Sequence, residues 1–489
     1  MTGRRTALGL GAAVASALLL FVAGEPVGIG VLAWIALVPL FAAVRDAEKL
    51  RWAWLYGLVF GLVFFGIHLS WIFLFGWMAW TALTIAMALY MSAATLVGWL
   101  VRNSLLAPLM MAGAWTGMEL VRDRWPVGGF SWGAIGTTQG SVPGVRWLAG
   151  VVGVYGLSFL VALAASLIAG RTWAWRSVGV AAIVLAGFIA ADVILHGSPE
   201  PGRPYRIAVV QGGVPRPPRP DQNEVILRNH IRVSRALIKE RGPLDVVVWP
   251  ESAVANSVAD TGLAELKALA LETNTSFLVG RSYFTQDAYF NLIEHVTPGG
   301  RIDGEYAKRH PVPFGEYVPI GFFRSFVGTL QSEIPVDQRP GTEATVFDVE
   351  GRKVATPVCF ESVFPRDFLD FARQGTELFV LTTNNSSFER SYASQQHVAH
   401  TRMRALETRQ WVVQAALAGI SGVLGPDGSV TQTTKLFTTT GFVADVRTRP
   451  SQSLYASIGD VFPSIFGALP LLGLLEALVR KRRELESST

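Results

Sequence analysis

The sequence contains a single cysteine, Cys359, in 489 residues. One cysteine excludes an internal disulfide and any metal site built from several thiolates. Cys359 follows the apolar segment 354–358 and precedes a proline-containing turn, so we predict a buried strand that runs into a sharp turn at this position. Two interpretations remain open: an inert buried side chain, which is the common role of a free cysteine, or a nucleophile presented on the turn.

Charge is also scarce, since only 16% of the residues are charged and 50% are hydrophobic. These values indicate a membrane protein rather than a soluble enzyme of this length. There is no repeat of fixed period, no low-complexity tract and no glycine-rich phosphate loop after a predicted strand, which argues against a nucleotide-driven reaction. No RNA- or DNA-binding motif is visible, and the net charge of +5 resides largely in residues that flank apolar segments.

Apolar segments dominate the first 198 residues and return near the C-terminus. A helix needs roughly 20 apolar residues to cross a membrane. We count eight candidates, at about 6–23, 27–44, 53–75, 78–101, 104–121, 148–170, 176–196 and 459–479. The first resembles a cleavable signal peptide, because Arg4 and Arg5 precede it, but the spans that follow at once favour a retained helix.

The basic residues between these segments predict the orientation. If every segment crosses, most of them fall on one side, which should be the cytoplasm: Arg4, Arg5, Arg45, Lys49, Arg51, Arg102, Arg171, Arg176, Arg480, Lys481, Arg482 and Arg483. We therefore predict a seven-helix transmembrane domain over 1–198, a globular domain over 204–455 on the opposite face, and an eighth helix with a cytoplasmic tail over 456–489.

Polar groups within the apolar region are few. His68 and Glu119 lie in or near predicted spans, where polar residues are often functional, although a structural role is the simpler interpretation. The loop 125–136 is rich in glycine and aromatic residues. It is either an interfacial aromatic belt or a re-entrant segment.

The globular part alternates strand-length apolar runs with helical patterns. Strands are expected at 207–211, 244–249, 277–280, 290–296, 354–359, 378–382, 411–416, 422–425 and 441–446, and helices at 221–241, 260–273, 365–374 and 391–408. The pair Gly299 and Gly300 predicts a hairpin turn. This mixture fits two packed sheets covered on the outside by helices, an αββα sandwich.

Three segments each place a reactive side chain at the end of a predicted strand: Glu251 after Trp-Pro, Lys308 before a rigid proline-rich loop, and Cys359. Together they could perform acyl transfer. A thiolate attacks a carbonyl, the carboxylate takes the thiol proton, and the lysine stabilises the oxyanion. A backbone N–H, that of Phe360, is the expected second oxyanion donor, and the lysine cation is expected to lower the pKa of the thiol.

These motifs resemble those of a known family. Trp-Pro-Glu251, Lys308-Arg-His-Pro-Val-Pro-Phe-Gly-Glu316-Tyr-Val-Pro and Cys359-Phe-Glu361 are similar to the Glu–Lys–Cys elements of the nitrilase, or carbon–nitrogen hydrolase, superfamily. The long proline-rich motif and the eight apolar segments resemble its membrane branch, the apolipoprotein N-acyltransferases. The likeness extends to Val210-Gln211-Gly212 and to the segment 396–407.

The resemblance implies Glu251 as general base, Lys308 as oxyanion stabiliser and Cys359 as a nucleophile that forms a thioester. It further implies that Glu316, Glu361 and Asn291 belong to the same site as Phe360. The implied acyl donor is a phospholipid, and the implied acceptor is the terminal amine of a diacylglyceryl-cysteine lipoprotein. No metal and no cofactor are expected. The implied location is the bacterial cytoplasmic membrane, with the catalytic domain on its outer, periplasmic face, and we expect a monomer.

Some positions depart from the family pattern. Phe360 stands where a tyrosine is common, and the segment Thr383-Asn-Asn-Ser386-Ser387 lacks an acid and an aromatic residue. The turn at 417–421 and the segment 214–220 also differ, the latter by lacking a tryptophan. Because Glu251, Lys308 and Cys359 are present, these departures bear on the substrate groove and the rate more than on the reaction class.

Two other functions fit parts of the sequence. A membrane-tethered amidase or nitrilase would use the same three residues with water as the acceptor, and it would need a closed polar pocket rather than an apolar opening. A transporter or assembly scaffold would need no catalysis. The predicted spans show neither paired charges nor an obvious inverted repeat, which argues against transport.

Overall fold

The computed structural model of the chain describes residues 2–170, 175–196, 201–318 and 336–487. The chain divides into two compact units, Met1–Ser198 with Ser453–Thr489 and Pro199–Gln452. Arg171, part of the predicted linker at 197–204 and Pro319 of the proline-rich motif lie outside the described residues.

The helices are α1 (Thr2–Ala23), α2 (Ala33–Ala36), α3 (Val38–Arg45), α4 (Leu50–His68), α5 (Trp77–Leu100), α6 (Ala107–Arg122), α7 (Ala149–Ala169), α8 (Trp175–His196), α9 (Gln222–Arg241), α10 (Ala259–Thr273), α11 (Pro365–Ala372), α12 (Ala393–Thr408), α13 (Leu454–Ile458) and α14 (Val461–Ser487). The strands are β1 (Arg203–Gln211), β2 (Val246–Val254), β3 (Ser276–Phe284), β4 (Tyr289–Val296), β5 (Ile302–Ala307), β6 (Val346–Val349), β7 (Arg352–Ala355), β8 (Leu378–Thr383), β9 (Val412–Ala416), β10 (Gly422–Leu424), β11 (Val430–Thr431) and β12 (Thr440–Thr448).

Among the described residues of the helical unit, five helices are long and apolar enough to cross a membrane: Gly3–Ala23, Leu50–His68, Trp77–Leu100, Arg146–Ala169 and Trp175–His196. The predicted second span is not one continuous helix, because short helical pieces make up Gly30–Arg45. The apolar part of α14 is also short, at Val461–Leu475. The number of eight crossings therefore stays a prediction.

Small residues allow close helix packing within this unit. A Cβ atom added to Gly113 of α6 would lie 2.2 Å from the carbonyl oxygen of Phe466 in α14, and one added to Gly117 would lie 3.0 Å from that of Gly467. Helix pairs inside membranes commonly approach through such small residues. The terminal helix α14 therefore packs on α6 despite the long stretch of chain between them.

The loop after α6 folds back into the helical unit. Nη1 of Arg122 donates hydrogen bonds to the carbonyl oxygens of Trp132 (2.6 Å) and Phe130 (3.2 Å), and Trp132 is buried. Oε1 of Glu119 accepts a bond of 3.0 Å from the backbone N–H of Ile135. A buried Trp132 favours the re-entrant interpretation over an interfacial belt for this part of the loop.

His68 is also buried in the helical unit, and its ring stacks on that of Phe64, with the ring centroids 5.0 Å apart. Glu119 accepts a further bond of 3.2 Å from Nε1 of Trp115. These contacts give both residues a packing role.

The Pro199–Gln452 unit is the predicted sandwich. One six-stranded sheet has the order β12-β1-β2-β3-β4-β5, and the other has the order β11-β10-β9-β8-β7-β6. In each sheet the three middle strands are parallel and the outer ones antiparallel. The sheets face each other through β2 with β8 and β9, while α9 and α10 pack on the first sheet and α12 on the second. The expected fold class is confirmed, as is the hairpin between β4 and β5.

The strands form where apolar and β-branched residues are buried on both faces. The core between α9, α10 and the first sheet includes Val247, Trp249, Phe277 and Leu269, all fully buried. Parallel strands covered on both sides favour such continuous apolar runs. The carboxyl ends of β2, β7 and β8 carry the polar residues considered next.

Candidate active site

Glu251 lies in β2 at an irregularity of the first sheet. The pairing of β2 with β3 shifts register between Trp249 and Val254, so Pro250 does not end the strand as the sequence suggested. Gly280 of β3 permits the close approach, because a Cβ there would lie 2.2 Å from the carbonyl oxygen of Pro250 and 2.6 Å from Cα of Glu251. Bulges of this kind redirect side chains beside functional sites.

The Glu251 carboxylate is buried and held from three sides. Nδ2 of Asn291 in β4 donates a short hydrogen bond to Oε1, and the backbone N–H of Asn384 donates one of 2.8 Å to Oε2. Nζ of Lys308 lies 3.5 Å from Oε1. These bonds fix the direction in which the carboxylate can accept a proton.

Lys308 follows β5 and is fully buried. Its backbone N–H donates to the carbonyl oxygen of Asn291 (2.9 Å), and its Nζ lies 2.6 Å from Oε1 of Glu316. Burial by itself disfavours the ammonium, but the charges of Glu316 and Glu251 raise the pKa of Lys308 well above its ordinary value. The side chain is therefore a permanent cation at neutral pH.

Glu316 is positioned by its own loop. Its Oε2 accepts a hydrogen bond of 2.7 Å from the backbone N–H of Val312. Burial raises the pKa of Glu316 and Glu251 raises it further, whereas Lys308 opposes both. The Glu316 carboxylate thus holds the Lys308 ammonium together with Glu251.

Cys359 begins a short 3-10 turn, Cys359–Val363, rather than ending a strand, since β7 stops at Ala355. Its φ of 51° places a non-glycine residue in the left-handed region, which costs about 1–2 kcal/mol. Such strain persists where surrounding contacts impose it, and it is common at functional sites. The cysteine side chain is partly exposed, in contrast to its buried neighbours Val358 and Phe360.

Glu361 supplies one set of those contacts. Its carboxylate accepts hydrogen bonds from the backbone N–H groups of Val358 (2.7 Å), Arg309 (2.6 Å) and His310 (3.2 Å), and from the hydroxyl of Tyr306 (2.8 Å). A single buried side chain thus joins the Cys359 turn to the loop after Lys308. The geometry gives Glu361 a positioning role, and Phe360 packs its buried ring edge-on against Phe364, with the centroids 5.0 Å apart.

Lys308 lowers the pKa of the Cys359 thiol, as expected, but other effects outweigh it. Burial raises the pKa of the Cys359 thiol and the charge of Glu251 raises it further, while Lys308 and a hydrogen bond with Thr383 lower it. The net direction is upward, so the resting group is a neutral thiol. A neutral thiol needs a base to remove its proton at the moment of attack.

Sequence reasoning did not assign roles to four residues that the structure brings to the site. The end of β8 supplies Thr383, the backbone of Asn384, which donates to Glu251, and the side chain of Asn385. Helix α12 supplies His397, whose Nε2 lies 3.0 Å from the carbonyl oxygen of Cys359. The signal was present, because a buried apolar strand ends in Thr-Asn-Asn just as the other three segments end in polar residues.

A second polar cluster lies beside the turn. Ligand atoms of His310, Glu361 and Asp367 lie within 4.8 Å of one another, a spacing that could hold a metal ion. Nδ1 of His310 is 2.8 Å from Oδ2 of Asp367, and Arg309 also pairs with Asp367 at 3.6 Å. Because Glu361 already accepts four hydrogen bonds, these groups are explained as an ion-pair network that supports the turn.

The structure thus brings together the residues that the sequence singled out. Glu251, Lys308 and Cys359 interact electrostatically, and Asn291 and Glu316 contact the first two directly. Glu361 and Phe360 lie within the turn of the cysteine. A carboxylate, an ammonium and a thiol in one buried site can perform acyl transfer through a covalent intermediate.

Known protein families match this chain over most of its length. Residues 16–167 match the family model of the apolipoprotein N-acyltransferase N-terminal domain, and residues 206–452 match that of carbon–nitrogen hydrolases. An apolipoprotein N-acyltransferase from Geobacter metallireducens is 33% identical over 92% of this chain and 91% of its own length. One from Methylococcus capsulatus is 30% identical over 97% of both chains. Among solved structures, an amidase from Nesterenkonia is 18% identical, with a TM-score of 0.38 over 51% of this chain and 92% of the amidase.

Proposed function

Because the chain belongs to the apolipoprotein N-acyltransferase family, we propose that it transfers a fatty acyl chain from a phospholipid to the terminal amine of a diacylglyceryl-cysteine lipoprotein through a thioester on Cys359. The chain is a bacterial membrane protein and an acyltransferase. The observation that carries the finer mechanism is the convergence of Glu251, Lys308 and Cys359 in one site.

The first half-reaction forms the thioester. Glu251 removes the thiol proton as the Cys359 sulfur attacks the ester carbonyl of the phospholipid. A C–S bond forms and the carbonyl oxygen becomes an oxyanion. The oxyanion collapses, the C–O bond to the glycerol oxygen breaks, and the lysophospholipid leaves with the proton held by Glu251.

The second half-reaction transfers the acyl chain. The lipoprotein amine attacks the thioester carbonyl and gives its proton to Glu251. The C–S bond breaks as the amide forms, and the Cys359 sulfur recovers the proton. The energy of the donor ester suffices, so no nucleotide takes part.

Lys308 stabilises the oxyanion in both steps. Its pKa is raised by Glu316 and Glu251 against the effect of burial, so it keeps its charge through the cycle. It is held by two carboxylates at 2.6 and 3.5 Å and needs little reorganisation when the oxyanion forms. The backbone N–H of Phe360 is the proposed second donor.

The location follows from the same proposal. The basic residues between the apolar segments support a cytoplasmic location for one side of the helical unit. The Pro199–Gln452 unit then lies on the periplasmic face of the cytoplasmic membrane, where the lipoprotein acceptors are exposed. We propose that the protein works there as a monomer.

The test uses the full-length protein in detergent with a phospholipid that carries a radiolabelled acyl chain. We expect a hydroxylamine-labile label on the protein, its loss in Cys359→Ala, and its loss in Glu251→Gln. The exposed Glu305, in the strand before Lys308, provides the control Glu305→Gln, which should label normally. Adding a diacylglyceryl lipopeptide should move the label to the peptide amine. Labelled Cys359→Ala would overturn the thioester, and release of free fatty acid instead of acylated peptide would favour the amidase-like alternative.

A further inference from the structure

A chain of hydrogen bonds leads from Thr383, at the end of β8, to the backbone carbonyl of Cys359. The Thr383 hydroxyl donates to Oδ1 of Asn385 (2.7 Å). Nδ2 of Asn385 lies 3.1 Å from Nδ1 of His397. His397 Nε2 ends the chain at the Cys359 carbonyl oxygen, 3.0 Å away.

The partners determine which nitrogen of His397 carries the proton. A carbonyl oxygen only accepts, so Nε2 must donate to Cys359, and in the neutral ring Nδ1 then accepts from the Asn385 amide. His397 and Asn385 are both buried. Burial lowers the pKa of His397 to about 4, which agrees with a neutral ring. Asn385 cannot ionise, and it lies in the segment 383–387 that lacks the acid of the family pattern.

The bond to the carbonyl also sets a direction at the next residue. The peptide unit between Cys359 and Phe360 is planar and trans, so its C=O and N–H point in opposite directions. A donor that holds the Cys359 carbonyl therefore fixes the direction of the Phe360 N–H. The positive φ of Cys359, 51°, gives this peptide plane an orientation that ordinary backbone would not adopt.

We propose that His397 is a positioning residue that aims the Phe360 N–H at the reacting carbonyl oxygen by holding the carbonyl of Cys359. This inference rests on the proposed thioester chemistry and adds to it the residue that orients one oxyanion donor. His397 acts on the oxyanion and not on the sulfur, and the start of the cysteine turn is held separately by the hydrogen bond from the Val358 N–H to Glu361.

An experiment with the full-length protein separates an effect on the oxyanion from an effect on the sulfur. Thioester formation from labelled phospholipid passes through an oxyanion, whereas alkylation of Cys359 by iodoacetamide does not. In His397→Leu we expect kcat for thioester formation to fall about 10- to 100-fold, with KM for the phospholipid and the alkylation rate close to those of the wild type. His397→Gln, which retains an N–H donor, should recover most of the rate.

The control removes a different buried imidazole. His230 of α9 is neutral, fully buried and bonded to the carbonyl oxygen of Ile226 (2.8 Å), and His230→Leu should not lower thioester formation selectively. Wild-type rates in His397→Leu would overturn the inference, and so would a parallel loss of alkylation, which would place His397 at the sulfur. A wild-type protein that takes no label at Cys359 would instead refute the proposed function itself.

Discussion

The Glu361 carboxylate accepts a hydrogen bond of 2.6 Å from the backbone N–H of Arg309, the residue after Lys308. The same carboxylate accepts one from the residue before Cys359. The segments that carry Cys359 and Lys308 are therefore joined by a side chain that bonds to the backbone beside each of them.

Replacing this carboxylate should loosen both segments. In Glu361→Gln an amide NH₂ would face backbone N–H donors, which leaves buried groups unpaired at a cost of about 2–4 kcal/mol. We expect a lower thermal midpoint and at least a tenfold loss of thioester formation. Asp370→Asn removes an exposed partner of Arg309 and should change neither. A wild-type midpoint in Glu361→Gln would contradict the positioning role.

Glu316 offers a test of how Lys308 is held. In Glu316→Gln the ammonium keeps only Glu251 as a charged partner, so it should shift toward the base. We expect thioester formation to fall about 10- to 100-fold. Non-covalent binding of the phospholipid, measured at equilibrium in the double variant Glu316→Gln with Cys359→Ala, should stay intact. An unchanged rate would show that Lys308 does not depend on Glu316 for its position.

The raised pKa of Cys359 predicts its alkylation profile. A thiol with a raised pKa is neutral at pH 7, so its rate with iodoacetamide should climb steadily from pH 7 to 10 without the plateau of an acidified cysteine. Because Glu251 contributes to the rise, Glu251→Gln should alkylate faster at each pH and yet form no thioester. A plateau below pH 8 in the wild type would contradict the neutral resting thiol.

The buried histidines predict the effect of acid on stability. Burial lowers the pKa of both His397 and His230 to about 4. Between their ordinary value near 6.5 and this value, the unfolded chain binds protons that the folded chain does not, so stability is full above pH 6.5 and falls as the pH decreases toward 4. Each of the two histidines should lower the free energy of unfolding by about 2 kcal/mol at pH 5. The drop in thermal midpoint between pH 7.5 and pH 5 should therefore be smaller in His397→Gln, and an equal drop would count against a neutral imidazole.

We expect the hydrogen bonds of Arg122 to hold the loop after α6 in its buried position. In a Cys359→Ser background, Ser131→Cys should resist maleimide because Ser131 is buried, while Trp125→Cys at an exposed position should react. Adding Arg122→Met removes the donors to the carbonyls of Phe130 and Trp132 and should open Ser131→Cys to the reagent by about tenfold. If Ser131→Cys stays protected from maleimide in the Arg122→Met variant, other contacts hold the loop and the prediction is wrong.

The sequence was sufficient to predict the strands that form from a local pattern of apolar residues. The apolar runs at 207–211, 244–249 and 378–382 became strands because β-branched and aromatic residues buried on both faces suit a parallel sheet. Glu251, Lys308 and Cys359 could be selected because each ends or follows such a run. Their convergence depends on the order of strands, which the resemblance supplied and the residues alone did not.

Other features depend on contacts between residues far apart in the chain, so the local sequence could not predict them. The register shift beside Glu251 requires the glycine at position 280 of the neighbouring strand. The positive φ of Cys359 occurs in a turn whose backbone is bonded to Glu361 and His397, which are distant from one another in the sequence. The second apolar segment was misjudged as one helix because its hydropathy does not reveal the breaks in Gly30–Arg45. The lowering effect of Lys308 on the pKa of Cys359 was predicted, but burial, which raises this pKa and outweighs the lysine, depends on the folded surroundings.

The two sheets divide the reactive groups between them. Glu251 and Asn291 belong to the first sheet and Lys308 directly follows its last strand, whereas Cys359, Asn384 and Asn385 extend from the second. A chain in which only one sheet has formed would hold either Glu251 without Cys359 or Cys359 without Glu251. Under the proposed mechanism, such a half-folded chain would be chemically inert, and acylation would report that both halves of the sandwich have assembled.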